Sequence, residues 1–468
     1  MSETALCLAT LTELADKLRT KAISPVELTR AYLSRIERLD VAFNSYIVVD
    51  DERALDAAKV AEREIVSGQY RGPLHGMPVA YKDIVDVAGL ATTCASGVLE
   101  DNIATTNATV VERLEQAGAI TLGKLNMNEF ATLLPSERFG PVVNPWSAHH
   151  SPGGSSSGSG SAVAAGLCAG ALGTDTGGSI RIPAAFNGIV GLKQTFGRVS
   201  NFGVVPLAWS LDHIGPMTRS VRDAAVMLET IAGHDPRDVC SLPDSPTDYV
   251  EHLDHGVNGL RVGVPKHFFD AMTATDVGDA VSRVVEQLQH GGARITSVSL
   301  PTLDSAWDIA NRIISAEASA WHEVHLHTRP ERYGTKVRKF LTRASDVTAS
   351  DYARALREKA ALRRDMLAAQ RDVDVMLTPG TLIAAPALED KTVDVRGENV
   401  GLRDALVSPT VPFNLSGQPA LTVPMGFTTE RLPVAIQIVG GLCDEATVLR
   451  VGAFLERAVG TGVPPDVE

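Results

Sequence analysis

The segment SPGGSSSGSGSAVAAGLCAGALGTDTGGSIRIPAAFNGIVGLKQT, residues 151–195, decides how this chain is read. It holds two glycine–serine turns, Gly153 to Gly160 and Gly173 to Ser179, separated by small residues from Ser161 to Gly170. Glycine takes backbone shapes that other residues resist, and lets successive N–H groups converge on a pocket. A serine at the end of such a pocket is a candidate nucleophile with its oxyanion site built from main chain. Ser179 holds that position. A second reading uses Gly154 to Gly158, which formally matches the G-x-S-x-G elbow with Ser156 as nucleophile. That elbow must follow a buried strand. The preceding residues NPWSAHHSP cannot form one.

Working outward, GMPVAYKDIVDVAG (76–89) places Lys82 in an apolar run. GKLNMNEFA (123–131), VNPW (143–146), SLDHIGPMTRSVRDAA (210–225) and PFNLSGQPALTVPMG (412–426) follow. Together with the two turns, these segments resemble the amidase signature family over most of the chain. Residue by residue, the resemblance implies that Lys82 is the catalytic lysine, Ser155 the bridging serine and Ser179 the nucleophile. It also implies a cis peptide bond before Ser155. The sequence departs from the family pattern at Ser157 (usually glycine), Asn187 (commonly cysteine) and Gln194 (commonly proline). None of these removes a catalytic group, though Ser157 bears on the shape of the first turn. The fold implied is α/β: a single large domain, residues 1–468, with a mixed β-sheet flanked by helices on both faces. N-terminal helices within 10–67 would pack on it, and the signature core would span about 76–225.

The chemistry implied is a Ser-Ser-Lys relay. A hydroxyl is a poor nucleophile unless a base takes its proton. Lys82 would take it through Ser155 and return it to the leaving nitrogen. Lys82 must then be neutral, and burying an ammonium lowers its pKa. Asp83 follows directly, but adjacent strand residues point to opposite faces. Taken alone, Lys82 would read as a strand-end surface lysine. His213 is the nearest histidine to Ser179 in sequence, which says nothing about space. Thr176, Gly177, Gly178 and Ser179 are the candidate oxyanion donors. Asp175 and Arg181 read as an ion pair that fixes the turn, the alternative being unrelated surface charges. Leu133 and Leu134 fall where the family places pocket-wall residues and would make an apolar acyl pocket; ordinary core leucines are the other reading. Phe413, Leu415 and Gln418 lie in a second such loop.

The rest of the chain narrows the class. A net charge of −13 argues against charge-driven binding to nucleic acid or a membrane surface. Five scattered cysteines read as reduced thiols of a cytoplasmic protein. The N-terminal sequence has no signal-peptide pattern. Ser24-Pro25-Val26-Glu27 is a capping box opening a helix to about Arg38. Helices are expected over Arg53 to Ile65, Val110 to Gln116, Val277 to Gln289 and, on the surface, Ala353 to Arg371. Strands are expected over Met77 to Tyr81, Ala119 to Leu122, Leu260 to Val264, Arg294 to Val298, Val373 to Leu377 and Val434 to Val439. This alternation indicates an α/β layered domain. Asp235 to Asp254 reads as a long surface connection. GAITLGK (118–124) imitates a phosphate loop, but its apolar interior and Leu125 make it a strand and turn. His322, Glu323, His325 and His327 are one residue short of H-E-x-x-H, so a solvated helix or loop is expected there, and likewise a loop at His149-His150.

The sequence therefore points to an amidohydrolase acting through an acyl-enzyme on Ser179, with no metal and no organic cofactor. Its expected partner is a small-molecule amide, apolar or aryl, with no nucleic acid and no membrane; a homodimer is left open. The alternative within the family is the A subunit of a glutamyl-tRNA amidotransferase, which would release ammonia from glutamine for a partner. Tyr333 to Lys339 and the residues before Asn414 lack a clean match to the glutamine-binding arginine and acid of that protein. A carbamate, urea-type or ester substrate, or a non-catalytic binding role, are further alternatives.

Overall fold

A computed structural model describes residues 2–243, 248–265, 273–300, 303–460 and 464–467. The apolar runs read as strands join one sheet. In chain order its strands are β1 (Tyr46–Val49), β2 (Pro78–Lys82), β3 (Ile120–Leu125), β4 (Gly170–Asp175), β5 (Val190–Lys193), β6 (His213–Thr218), β7 (Arg261–Pro265), β8 (Arg294–Val298) and β9 (Val375–Pro379). β10 (Thr392–Val395) and β11 (Glu398–Gly401) form a separate hairpin, and β12 (Ala420–Phe427) and β13 (Pro433–Gly440) return to the sheet. The 11-stranded order is β1-β3-β2-β4-β6-β5-β12-β13-β9-β7-β8. β3, β2 and β4 run parallel, as do β9, β7 and β8, while the middle of the sheet is antiparallel. β2, β3 and β4 are buried at every residue, as expected for strands covered by helices on both faces.

The helix opened by Ser24 runs Pro25–Phe43, longer than expected: the face buried through Leu28, Tyr32, Arg35 and Ile36 is extended by buried Phe43, and the helix stops at Asn44 in the left-handed conformation. The Ser24 hydroxyl accepts the Glu27 N–H at 3.0 Å. The N-terminal helices are tied to the sheet layer by polar contacts. Asp223 accepts the N–H groups of Leu11 and Thr12, and Arg35 Nε donates to Ala165 O at 3.0 Å. The surface helix expected near Ala353 runs Ala349–Gln370 and is half-buried. Its Ala355, Leu362 and Met366 face the core, and Tyr352 donates to Glu317 at 2.8 Å. Part of the connection read over Asp235 to Asp254, residues 244–247, lies outside the described residues, and its end is a short 3₁₀ turn, Glu251–Asp254. Among the described residues no helix is long and apolar enough to cross a membrane.

Candidate active site

Functional groups of open α/β sheets collect at the carboxyl ends of strands. Lys82 ends β2, and Thr174 and Asp175 end the adjacent parallel β4. Lys82 is fully buried, and its Nζ lies 2.8 Å from Ser155 Oγ and donates to Thr174 Oγ1 at 2.8 Å. Burial pulls its pKa from 10.5 down to about 7 against the opposing pull of Asp212 and Asp175. Asp83 faces away, as the strand alternation requires, and pairs with buried Lys124 at 2.8 Å. The Gly154–Ser155 peptide bond is cis. Gly154 is required there: a Cβ would sit 2.5 Å from Asn128 Oδ1.

The two serine turns touch through the Ser156 N–H, which donates to Ser179 O at 3.3 Å. Ser179 lines a pocket of about 610 Å³. Ser156 does not. Its hydroxyl donates to Thr174 O and accepts from Thr174 N–H, both at 3.1 Å, so it is tied into the end of β4. Ser157 is the first residue of the following helix, Ser157–Ala164, and is buried. Asn187 Nδ2 bridges Pro152 O and Pro183 O at 2.7 and 2.8 Å, fixing the entry to the first turn. Gln194 donates to Ile214 O at 2.8 Å.

Asp175 and Arg181 are a fully buried ion pair. Arg181 Nη2 meets Asp175 Oδ1 at 2.8 Å, and Arg181 Nε meets Oδ2 at 3.0 Å. Arg181 also donates to Thr410 O, Gln437 Oε1 and Asn414 Oδ1, and Asn414 Nδ2 donates back to Asp175. Burial alone would raise the Asp175 carboxyl; the Arg181 guanidinium and these donors outweigh it and hold it far below the usual range. One expected oxyanion donor is corrected here. The Gly178 N–H donates to Asp175 Oδ1 at 2.8 Å and is unavailable to a ligand. Gly178 serves the turn's shape instead: its φ is +134° and a Cβ would lie 2.5 Å from Thr410 Oγ1. Thr176, Gly177 and Ser179 line the pocket; Gly178 does not.

Asp212, unremarked in sequence, braces this turn. It accepts the Thr176 hydroxyl at 2.6 Å and the N–H groups of Leu207 and Ala208, and burial lifts its pKa to about 7. His213 is not placed to serve Ser179. It sits in β6 with Nδ1 at 2.7 Å from Leu211 O, and burial with nearby Lys193 pushes it well below its normal range.

Leu133 and Leu134 line the pocket beside Ser179. Phe413 does not; it and Leu415, on the helix Val411–Ser416, are fully buried, and so is Gln418 beyond that helix, whose amide donates to Gly440 O at 3.0 Å. The opposite wall comes from distant segments: Trp307, Asn311 and Ile314, then Phe340, then Arg403 and Val407. Trp307, Asn311 and Ile314 fall at i, i+4 and i+7 of one helix face and Arg403 and Val407 at i and i+4 of another, a periodicity that marks a face without saying what it meets. His322 is buried, T-stacked on Phe130 with ring centroids 4.3 Å apart, and 2.8 Å from the Tyr333 hydroxyl. His327 bonds to Glu323 O, and among the described residues no three metal-ligating side chains converge.

The amidase family model matches residues 27–449. The A subunit of the glutamyl-tRNA(Gln) amidotransferase of Geobacter metallireducens is 39% identical over 475 residues, covering 96% of this chain and 97% of that protein. Among solved structures, one superposes with a TM-score of 0.92 at 30% identity, over 97% of this chain and 100% of its own. It comes from a vestigial protein complex described as revealing the origins of an s-triazine catabolic enzyme. Native peptide amidase from Stenotrophomonas maltophilia superposes with a TM-score of 0.85 at 30% identity, over 98% of this chain and 99% of its own.

Proposed function

Because this chain belongs to the amidase family, we propose that it is a serine amidohydrolase splitting the C–N bond of an amide through an acyl-enzyme on Ser179. The observation that carries this reading is the buried Lys82, 2.8 Å from Ser155 Oγ, at the rim of the turn that puts Ser179 in the pocket. Neutral Lys82 accepts the Ser155 proton while Ser155 takes that of Ser179. The Ser179 Oγ–carbonyl carbon bond forms, and the oxyanion is held by the N–H groups of Thr176, Gly177 and Ser179. Lys82 returns the proton through Ser155 to the leaving nitrogen as the C–N bond breaks. Water then adds to the acyl carbon with the same relay taking its proton, the ester bond to Ser179 breaks, and the carboxylic acid leaves.

Two finer readings each have a supporting observation. The amidotransferase relative favours a glutaminase that releases ammonia to a partner protein. The pocket favours a free-standing amidase: Leu133, Leu134, Ile314 and Val407 offer apolar surface, and no carboxylate lines it to receive a glutamine ammonium. The test is a screen of the purified chain over aliphatic amides, anilides, carbamates, ureas and glutamine, with fluorophosphonate labelling alongside. Hydrolysis without labelling of Ser179 would refute the acyl-enzyme.

A further inference from the structure

The pocket of Ser179 adjoins a second hollow that is open to solvent, and the two share Leu134, Asn311, Phe340 and Arg403. That outer cavity is lined by Lys336, Lys339, Arg343 and Arg403. The first three occupy one face of the helix Thr335–Ala344, at i, i+3 and i+7. No carboxylate lines either cavity, and none of the four cations forms an ion pair among the described residues. Of the nearby acids, Asp308 pairs with Arg312 at 2.8 Å, and Glu137 accepts the Thr335 hydroxyl at 3.2 Å and lies close enough to Lys336 to feel its charge, which leaves Lys339, Arg343 and Arg403 without an acidic neighbour among the pocket-lining residues. This runs against the chain as a whole, which has 56 acidic and 43 basic residues. Arg403 stands at the neck between the cavities, its guanidinium carbon 5.6 Å from the Trp307 ring centre. A guanidinium so placed suits the two-pronged recognition of a carboxylate.

We propose that Arg403, backed by Arg343, Lys336 and Lys339, binds a carboxylate at the far end of the substrate, and that this substrate is an ω-carboxy amide without an ammonium group. This rests on Ser179 being the nucleophile. Ser179 and Arg403 line one pocket together with Leu133, Leu134, Ile314 and Val407, so the part of the substrate joining amide to carboxylate would lie against apolar surface. An α-ammonium would enter beside cations with no anion to meet it, which is costly.

Three probes share one skeleton: glutaric acid monoamide, glutamine (which adds the ammonium) and pentanamide (which lacks the carboxylate). With the full chain, kcat/KM for glutaric acid monoamide should exceed that for each of the others by about tenfold or more, the scale of one charge-assisted contact. Arg403→Gln should collapse the preference over pentanamide toward unity, and Arg403→Lys should restore part of it. Equal or better turnover of glutamine, or a preference untouched in Arg403→Gln, would overturn the proposal. Calorimetry with glutarate separates the anion site from the catalytic reading. Glutarate that binds the wild type and not Arg403→Gln supports the site even if no amide turns over and Ser179 fails to label. Absence of glutarate binding to the wild type refutes the site whatever the enzyme hydrolyses.

Discussion

Ser156 and Ser179 lie in turns of nearly the same composition, yet their hydroxyls meet opposite surroundings. Ser156 is held at both ends by Thr174, while Ser179 lines the pocket. Ser179→Ala should therefore abolish fluorophosphonate labelling and lower kcat by at least about a thousandfold. Ser156→Ala should still label and turn over; a dead Ser156→Ala beside an active Ser179→Ala would reverse the assignment. The proposed relay carries a pH dependence. It needs Lys82 neutral, and burial brings its pKa to about 7, so activity should rise with pH through that region and level off above it. Asp212 raises the Lys82 pKa, and its own also lies near 7, so the acid limb belongs to the pair. Asp212→Asn removes a negative charge that favours the ammonium, and the limb of a kcat/KM profile should move to lower pH. A shift to higher pH would contradict this coupling. Lys82→Arg should be as damaging as Lys82→Ala, since a guanidinium stays charged.

At the scale of elements, the turn after β4 is shaped from both sides. Asp175 draws in the N–H groups of Gly178 and Ile180 at 2.8 and 3.1 Å, and Thr410 donates its hydroxyl to Gly177 O at 2.6 Å. Gly178 combines a φ of +134° with a Cβ position 2.7 Å from Ile182 Cδ1, so Gly178→Ala must displace the turn. Turnover should drop about a hundredfold, on the scale of a lost oxyanion donor. Gly177→Ala, whose Cβ would meet Val411 Cγ2 at 3.0 Å, should be milder; kcat measured for both variants, with melting curves to check folding, decides. The paired ends of β2 and β4 were legible because strands and glycine turns are local patterns. β8 falls where expected and β2 shifts by one residue, whereas β3 runs on to Leu125 and the helix from Pro25 runs on to Phe43.

At the scale of the whole molecule, the open question is whether the chain works alone. The apolar pocket leads us to expect that the purified chain, with no other protein present, hydrolyses an alkyl amide or anilide better than glutamine. Glutaminase activity appearing only with a co-purified partner would instead favour the amidotransferase reading. The sequence by itself singled out Lys82, Ser155 and Ser179, because they sit in short motifs that resemble those of the amidase family, and the structure brings Lys82 Nζ within 2.8 Å of Ser155 Oγ. It also suggested the Asp175–Arg181 pair, six positions apart across one turn, which the structure shows as a buried contact at 2.8 Å. Only the tertiary structure showed that the Gly178 N–H is claimed by a carboxylate three residues back. It alone placed Phe413 in the core, and it alone brought residues 307–314, 340 and 403–407 opposite Ser179. Periodicity fixes which face of a helix is apolar; which other segment that face meets depends on how the sheet's crossovers bring together elements more than a hundred residues apart.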